Sequence, residues 1–160
     1  MFGSMKNIGL AGFISLVLSG CLPFADGSTP LEELSFTVLA FGQFPVTGIY
    51  GNKKLEVFRE QSALDAIVPA YLQPGAISDV DFSTEQVFLA SLGQRNSGGF
   101  EVATQAVKEF TTHILVTVHI TVPGPNCIVD TALSEPFEFV LINSRKELIF
   151  SETYQQQACN

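Results

Sequence analysis

The sequence predicts a mainly β fold of the α+β class, an antiparallel sheet arranged as a small sandwich or open barrel with one short helix. After residue 34, most of the chain consists of short alternating or apolar segments bounded by turn residues, which is typical of strands. One segment alone has apolar residues at helical spacing. The 160 residues are 46% hydrophobic and include 14 Phe, which is enough for one packed domain.

Seven segments are predicted as strands: 35–42, 54–59, 87–92, 100–105, 112–122, 137–143 and 147–151. The third is apolar on both faces, which predicts a central strand. The fifth alternates between apolar and polar residues and predicts a long strand with one hydrated face. Its apolar face carries Ile114, Val116, Val118, Ile120 and Val122, and its polar face carries His113, Thr117, His119 and Thr121.

The predicted helix lies between the second and third strands. Its apolar residues recur at i, i+3, i+4, i+7 and i+8 and are Leu64, Ile67, Val68, Tyr71 and Leu72. Ser62 and Asp65 resemble a capping pair. Pro69 interrupts the pattern, so the helix either kinks there or ends near Val68.

The first twenty residues have the layout of a secretory signal peptide. Lys6 precedes the apolar stretch 8–18, which is too short to span a membrane, and either Met1 or Met5 is the true start. Leu18-Ser19-Gly20-Cys21 resembles the lipobox of bacterial lipoproteins, in which the cysteine is acylated and becomes the first mature residue. The alternative is an ordinary secretory signal with a chance cysteine.

We therefore expect a signal peptide at 1–20, a flexible tether at 21–34 and a folded domain at 35–160. Pro, Gly, Ser, Thr and acidic residues without periodicity predict the tether. The acylated Cys21 would anchor the chain to a bacterial membrane. Leu22, where inner-membrane lipoproteins have Asp, resembles the signal for the outer membrane. The expected location is the cell envelope, facing the periplasm or the cell surface.

The two remaining cysteines, Cys127 and Cys159, are predicted to form a disulfide, because an exported protein meets an oxidising environment. The bond would hold the C-terminal tail 151–160. Two free thiols, or a metal pair without further ligands, are the alternatives.

The charge balance argues against a nucleic-acid partner. The chain has 8 Lys plus Arg against 16 Asp plus Glu, and its net charge is -8. It contains no Gly-x-Ser-x-Gly elbow, His-Glu-x-x-His helix, phosphate loop or dinucleotide fingerprint. We therefore expect neither an enzyme nor a cofactor.

Two patterns in the sequence resemble metal sites. His113 and His119 share a strand face but lie ~20 Å apart, too far for one metal ion. Alternating oxygen ligands, reminiscent of a calcium loop, occur at Asp79, Asp81, Ser83 and Glu85. The glycine and the closing glutamate of such a loop are missing, which favours turn chemistry before a strand. No metal site is predicted.

From Gln61 onward, an ordered set of segments resembles the PrcB family of bacterial extracytoplasmic proteins. The segments are SALDAIVPAYL (62–72), VDFS (80–83), VFLASLG (87–93), QRNSGGF (94–100), PGPNC (123–127) and PF (136–137). The family is named for a lipoprotein subunit of a surface protease complex. The resemblance implies a non-catalytic, membrane-anchored accessory domain that binds an envelope protein, a protease in the founding case.

The glycine-rich segment Gly93–Phe100 is predicted as an exposed hairpin tip and a partner-binding loop. Its candidate residues are Arg95, Asn96, Ser97, Gly98, Gly99 and Phe100. It resembles the loops by which chagasin-like inhibitors enter protease clefts. Alternatively, the glycines only let the chain turn and Phe100 enters the core. Three functions follow as hypotheses: an accessory subunit, a protease inhibitor, or a structural envelope protein without a discrete site.

Overall fold

The computed structural model describes residues 29–159, so the predicted signal peptide, Cys21 and the tether up to residue 28 lie outside the described residues. The elements in chain order are β1 (Glu32–Glu33), β2 (Phe36–Gly42), β3 (Lys54–Phe58), α1 (Gln61–Tyr71), β4 (Gln86–Ser91), β5 (Glu101–Glu109), β6 (His113–Val122), β7 (Phe137–Ile142) and β8 (Glu147–Gln156). Within the described part, no helix is long and apolar enough to cross a membrane.

The strands form two four-stranded sheets that pack face to face, with α1 on the outside of one of them. The first sheet has the order β1-β5-β6-β8 and the second the order β2-β7-β4-β3. The predicted mainly β fold with one helix is thus confirmed, in its sandwich form. All pairs are antiparallel except β6 and β8, which run parallel from His113 opposite Glu147 to Val122 opposite Gln156.

Two apolar layers hold the sandwich together. The layer between the sheets combines residues of β4 and β7 with residues of β5, β6 and β8, among them Phe88, Val140, Val107, Val116 and Val118. The second layer packs α1 on the other face of the second sheet and contains Leu64, Val68, Tyr71, Val87, Leu89, Phe137 and Phe139. Because β4 contributes to both layers, all six of its residues are buried, as the apolar run predicts.

The structure decides one open point of the sequence prediction and corrects two details. Helix α1 continues through Pro69 and does not end near Val68, because Val68 and Tyr71 on either side of the proline are buried against the second sheet. Its N-cap is Glu60 without a side-chain hydrogen bond, so the Ser62–Asp65 capping pair is wrong. The end of the predicted tether is also wrong, because Glu32–Glu33 pairs with β5.

The sandwich has two distinct ends. The proximal end contains residue 29, where the described part of the chain begins, and the pairing of β1 with the end of β5. Lys146 also lies there and donates to the carbonyl of Phe110. The distal end carries the connections 43–53, 92–100 and 123–136. The disulfide between Cys127 and Cys159 lies there, with a sequence separation of 32, and confirms the predicted pair.

Glu138 is a buried carboxylate between the two sheets. It lies on β7, is 3% exposed, and accepts a 2.5 Å hydrogen bond from the Thr104 hydroxyl of β5. Burial raises the pKa of Glu138 above its ordinary value, and the Thr104 hydrogen bond opposes this only in part. At a pH well above the ordinary value of 4.5, Glu138 therefore lowers the free energy of unfolding.

We expect Glu138→Gln to stabilise the protein at pH 7. The folded state binds the Glu138 proton more tightly than the unfolded state, so wild-type stability gains from protonation as the pH falls through the raised pKa. The advantage of the variant should therefore disappear as the pH falls below the ordinary value of 4.5. Urea unfolding between pH 4 and 8 measures it, with the exposed Glu147→Gln as control. An advantage that grew towards low pH would contradict this assignment.

Replacing Cys127 and Cys159 together by Ser should lower the free energy of unfolding by about 3–4 kcal/mol, the chain-entropy value for a loop of this length. Denaturant unfolding of oxidised wild type and variant gives the difference. Adding reductant to wild type should reproduce it, and leave the double variant unchanged. Equal stability of the two proteins would mean that the bond does not constrain the unfolded chain.

Candidate protein-binding surface

Five large apolar side chains are exposed in the connections at the distal end of the sandwich, Ile128 among them. The other four lie in the connection 43–53 or at the residue whose carbonyl Tyr50 of that connection binds. Phe44, Val46 and Ile49 belong to the connection 43–53, and Leu133 belongs to the segment before β7. The exposed fractions of Phe44 and Ile49 are 55% and 77%. We call these four residues the distal apolar patch. A group of large apolar side chains exposed on a protein surface is typical of sites that bind other proteins.

A buried carboxylate holds the connection that carries most of this patch. The Gly51 N–H donates a 2.6 Å hydrogen bond to Oε2 of Glu135. The Glu135 N–H in turn donates to the carbonyl of Gln43. Both ends of the connection are thus tied to one residue, which is fully buried.

Two hydroxyl groups complete the surroundings of Glu135. Oε1 accepts hydrogen bonds from the Tyr71 hydroxyl at 2.8 Å and from the Ser91 hydroxyl at 2.6 Å. Burial, and next to it the Glu135 carboxylate, raises the pKa of Tyr71 well above its ordinary value, so this hydroxyl remains a donor. A buried carboxylate is tolerated when donors surround it in this way.

The end of α1 and the segment before β7 add three further bonds. The Val46 N–H donates to the Tyr71 carbonyl, and the Thr47 hydroxyl donates to the Ala70 carbonyl. The Tyr50 hydroxyl donates to the carbonyl of Leu133. The connection is therefore fixed although its apolar side chains face solvent. Fixing an apolar loop before it binds reduces the ordering entropy that binding costs.

The segment Gly93–Phe100 is not the hairpin tip that the sequence predicts. It leads from β4 in the second sheet to β5 in the first, so the flanking strands are not partners. Its backbone pairs with the segment before β7, through Arg95 with Ser134 and through Gly98 with Asp130. The hairpin prediction fails because the chain changes sheets here, and that change depends on distant strand pairing.

The residues of this segment divide between surface and interior. Asn96 and Gly99 are exposed, Ser97 and Gly98 are half-buried, and the guanidinium of Arg95 lies 5.5 Å from the ring centre of Phe100. Phe100 packs against the layer between the sheets, as the alternative interpretation expects. The role of these residues in partner binding stays a prediction.

Two glycines shape this segment. Gly93 has φ +69°, and a Cβ there would collide with the backbone of Asn52 and Lys53. Gly99 has φ +82°, and a Cβ would lie 2.7 Å from Val129. In both cases glycine allows the segment to lie close to its neighbours at the distal end.

Neither candidate metal pattern assembles into a site in the described chain. His113 stacks on Phe110, and His119 shares a hydrogen bond with Thr153. Asp81 accepts hydrogen bonds from Ser83 and Thr84, which lower the pKa of its carboxyl group and form a turn before β4. Residues 29–159 contain no cluster of three or more metal-ligating side chains.

Neither the connection 43–53 nor Glu135 is among the site residues that the sequence predicts. The available signal was three apolar residues, Phe44, Val46 and Ile49, among Pro, Thr and Gly residues without strand or helix periodicity. Apolar residues that no regular element accounts for are candidates for a binding surface. Glu135 gave no signal, because a glutamate beside a proline is usually exposed.

Fold and surface together define a helix-covered β-sandwich domain with a fixed, apolar loop surface at one end. Residues 87–143 match the family model described as PrcB C-terminal, which confirms the PrcB-like resemblance for this part of the chain. The matched segment runs from β4 to β7 and includes Gly93–Phe100 and Glu135. Neither the curated proteins nor the solved structures contain a match to the chain.

Glu135→Ala should destabilise the protein by about 2–5 kcal/mol, because the buried Tyr71 and Ser91 hydroxyls and the Gly51 N–H lose their acceptor. Amide exchange of residues 44–51 should accelerate more than exchange in β4 or β6, since the connection loses its tie at Gly51. Urea unfolding and hydrogen exchange measure the two effects, with the exposed Glu147→Ala as control. Unchanged exchange in 44–51 would contradict the role assigned to Glu135.

Proposed function

We propose that this protein is a lipid-anchored extracytoplasmic accessory module, which binds an envelope protease and assists its assembly or stability. The single observation that carries the proposal is the distal apolar patch, held rigid by the buried Glu135 carboxylate. The match of residues 87–143 to a family named for a protease-complex subunit supports the choice of partner. The non-catalytic role rests on the same resemblance.

The two ends of the sandwich suit a tethered module. Residue 29 and β1 lie at the proximal end, whereas the patch lies at the distal end. Strand β6 has ten residues and extends between the two ends, a length of roughly 30 Å at about 3.3 Å per residue. With Cys21 acylated, the proximal end would face the membrane, and the patch would face outward towards a partner. We propose the outer membrane as the site of anchoring.

The composition of the patch favours a protein partner. Phe, Val, Ile and Leu side chains offer area for burial but no charged group for a small polar ligand. Aromatic and aliphatic anchors near the centre of an interface provide most of its binding energy. A rigid loop presents them without a large ordering cost.

Co-purification tests the proposal directly. The full-length tagged chain, extracted from its native membrane in mild detergent, should carry a protease with it, and its first residue by mass spectrometry should be an acylated Cys21. Phe44→Ser together with Ile49→Ser should reduce the recovered protease at least about tenfold, because each lost side chain removes about 1.5–3 kcal/mol of burial. Ile149→Ser is the matched control, since Ile149 is similarly exposed on β8 of the first sheet.

Recovery of the chain without any partner would contradict the proposal. So would an equal loss of the protease in the Ile149→Ser control. The activity of the recovered protease separates an accessory subunit from an inhibitor. An accessory subunit leaves activity unchanged or raises it, whereas inhibition by the added chain would replace the proposed role with the second hypothesis.

A further inference from the structure

The edge of the first sheet is incomplete. Strand β1 pairs with β5 at Lys108 and Glu109, and the Leu34 N–H donates to the Val107 carbonyl. The chain then crosses to the second sheet and continues as β2. The beginning of β5, Glu101–Thr104, pairs with β6 on one side. On its other side it pairs with no strand of the described chain. A β-bulge at Gln105 separates this free stretch from the part that β1 covers.

The second sheet leaves two apolar side chains uncovered opposite this gap. Val38 and Phe41 of β2 are paired in register with Val140 and Glu138 of β7, which lie between the sheets. Directly paired residues point to the same face, so Val38 and Phe41 also face the first sheet. They are nevertheless 42% and 78% exposed. A strand beside the start of β5 is what would cover them.

A groove of about 280 Å³ occupies this position. Phe41, Gly42 and Gln43 line one wall, Glu101, Val102 and Ala103 line the other, and Pro136 and Phe137 close its distal part. Edge strands of natural sheets are commonly guarded by charged residues or proline. The free stretch Glu101–Thr104 has no proline and a single charge, Glu101, whereas β8 at the opposite edge of the same sheet has Glu147 and Glu152.

We propose that this groove binds an extended segment of a partner protein, which adds to Glu101–Thr104 of β5 as a further strand and covers Val38 and Phe41. Such strand addition combines main-chain hydrogen bonds with pockets for alternate side chains. The inference rests on the proposed function, because it describes how the envelope partner docks.

The chemistry of the groove determines the chemistry of the segment. Its inward side chains are apolar, since they contact Val38 and Phe41. Its outward side chains are basic, since they lie beside Glu101, which is exposed on the outer face of a chain with net charge -8. Opposite charges on neighbouring strands stabilise a pair, and like charges destabilise it.

The test uses the full-length chain in detergent and a synthetic peptide of four Val-Lys repeats with blocked ends. In hydrogen exchange resolved by individual amide, the peptide should slow exchange at least tenfold at those amides of Glu101–Thr104 that do not donate to β6. Phe41→Ser should weaken peptide binding at least about tenfold, because the peptide no longer buries the ring. Glu101→Lys should weaken binding of the Val-Lys peptide several-fold. A peptide of four Val-Glu repeats should bind the wild-type chain as weakly as the Val-Lys peptide binds the Glu101→Lys variant.

Matched controls place the same changes on the opposite edge of the first sheet. Ile149→Ser and Glu147→Lys on β8 should leave peptide binding unchanged. Phe41, Glu101, Glu147 and Ile149 are all exposed, so the four variants should keep the fold.

Two results would overturn the inference. One is no protection of Glu101–Thr104 by the peptide, or protection that the β8 controls reduce equally. The other is slow exchange, in the chain without peptide, of those amides of Glu101–Thr104 that do not donate to β6, which would assign the groove to a second copy or to the chain's own N-terminal residues. If the peptide fails while the protease still co-purifies, only this docking mode is wrong. If the peptide binds and no protease co-purifies, the proposed function is wrong instead.

Discussion

The arrangement of the distal end depends on one buried carboxylate. Glu135 accepts hydrogen bonds from the connection 43–53, the end of α1 and the end of β4, and so joins three segments that are distant in sequence. An isolated carboxylate in this position would be strongly unfavourable, which is why the donors and the acid must assemble together. Because the connection is held at its backbone, its apolar side chains remain free to face solvent. The proposed binding surface is a direct consequence.

The topology explains the second exposed feature. The chain crosses from the first sheet to the second directly after the short strand β1, and β1 therefore covers only one end of β5. The opposite sheet keeps full-length strands, so Val38 and Phe41 lie above a gap rather than above a neighbour. The distal apolar patch thus arises where the connections between strands meet. The groove beside the start of β5 arises where the first sheet is incomplete.

Local sequence patterns predicted most of the fold and little of the surface. Alternation within β6 and the apolar run of β4 depend on neighbouring residues alone, and both strands agree with the structure to within one residue. The parallel partner that extends β8 to Gln156, and the sheet change between β4 and β5, depend on pairing between distant segments. Periodicity holds no information on such pairing. Burial of Glu135 depends on three donors brought together by the completed fold, and no local rule predicts it.

The proposed binding surface requires the connection 43–53 to be rigid before any partner binds. Backbone ¹⁵N relaxation of residues 44–50 measures this rigidity. Order parameters near those of β4 and β6, about 0.85, are expected. Order parameters below about 0.6 in this connection, with rigid strands on either side, would contradict the proposal, because Glu135 would then not hold the loop that carries the apolar side chains.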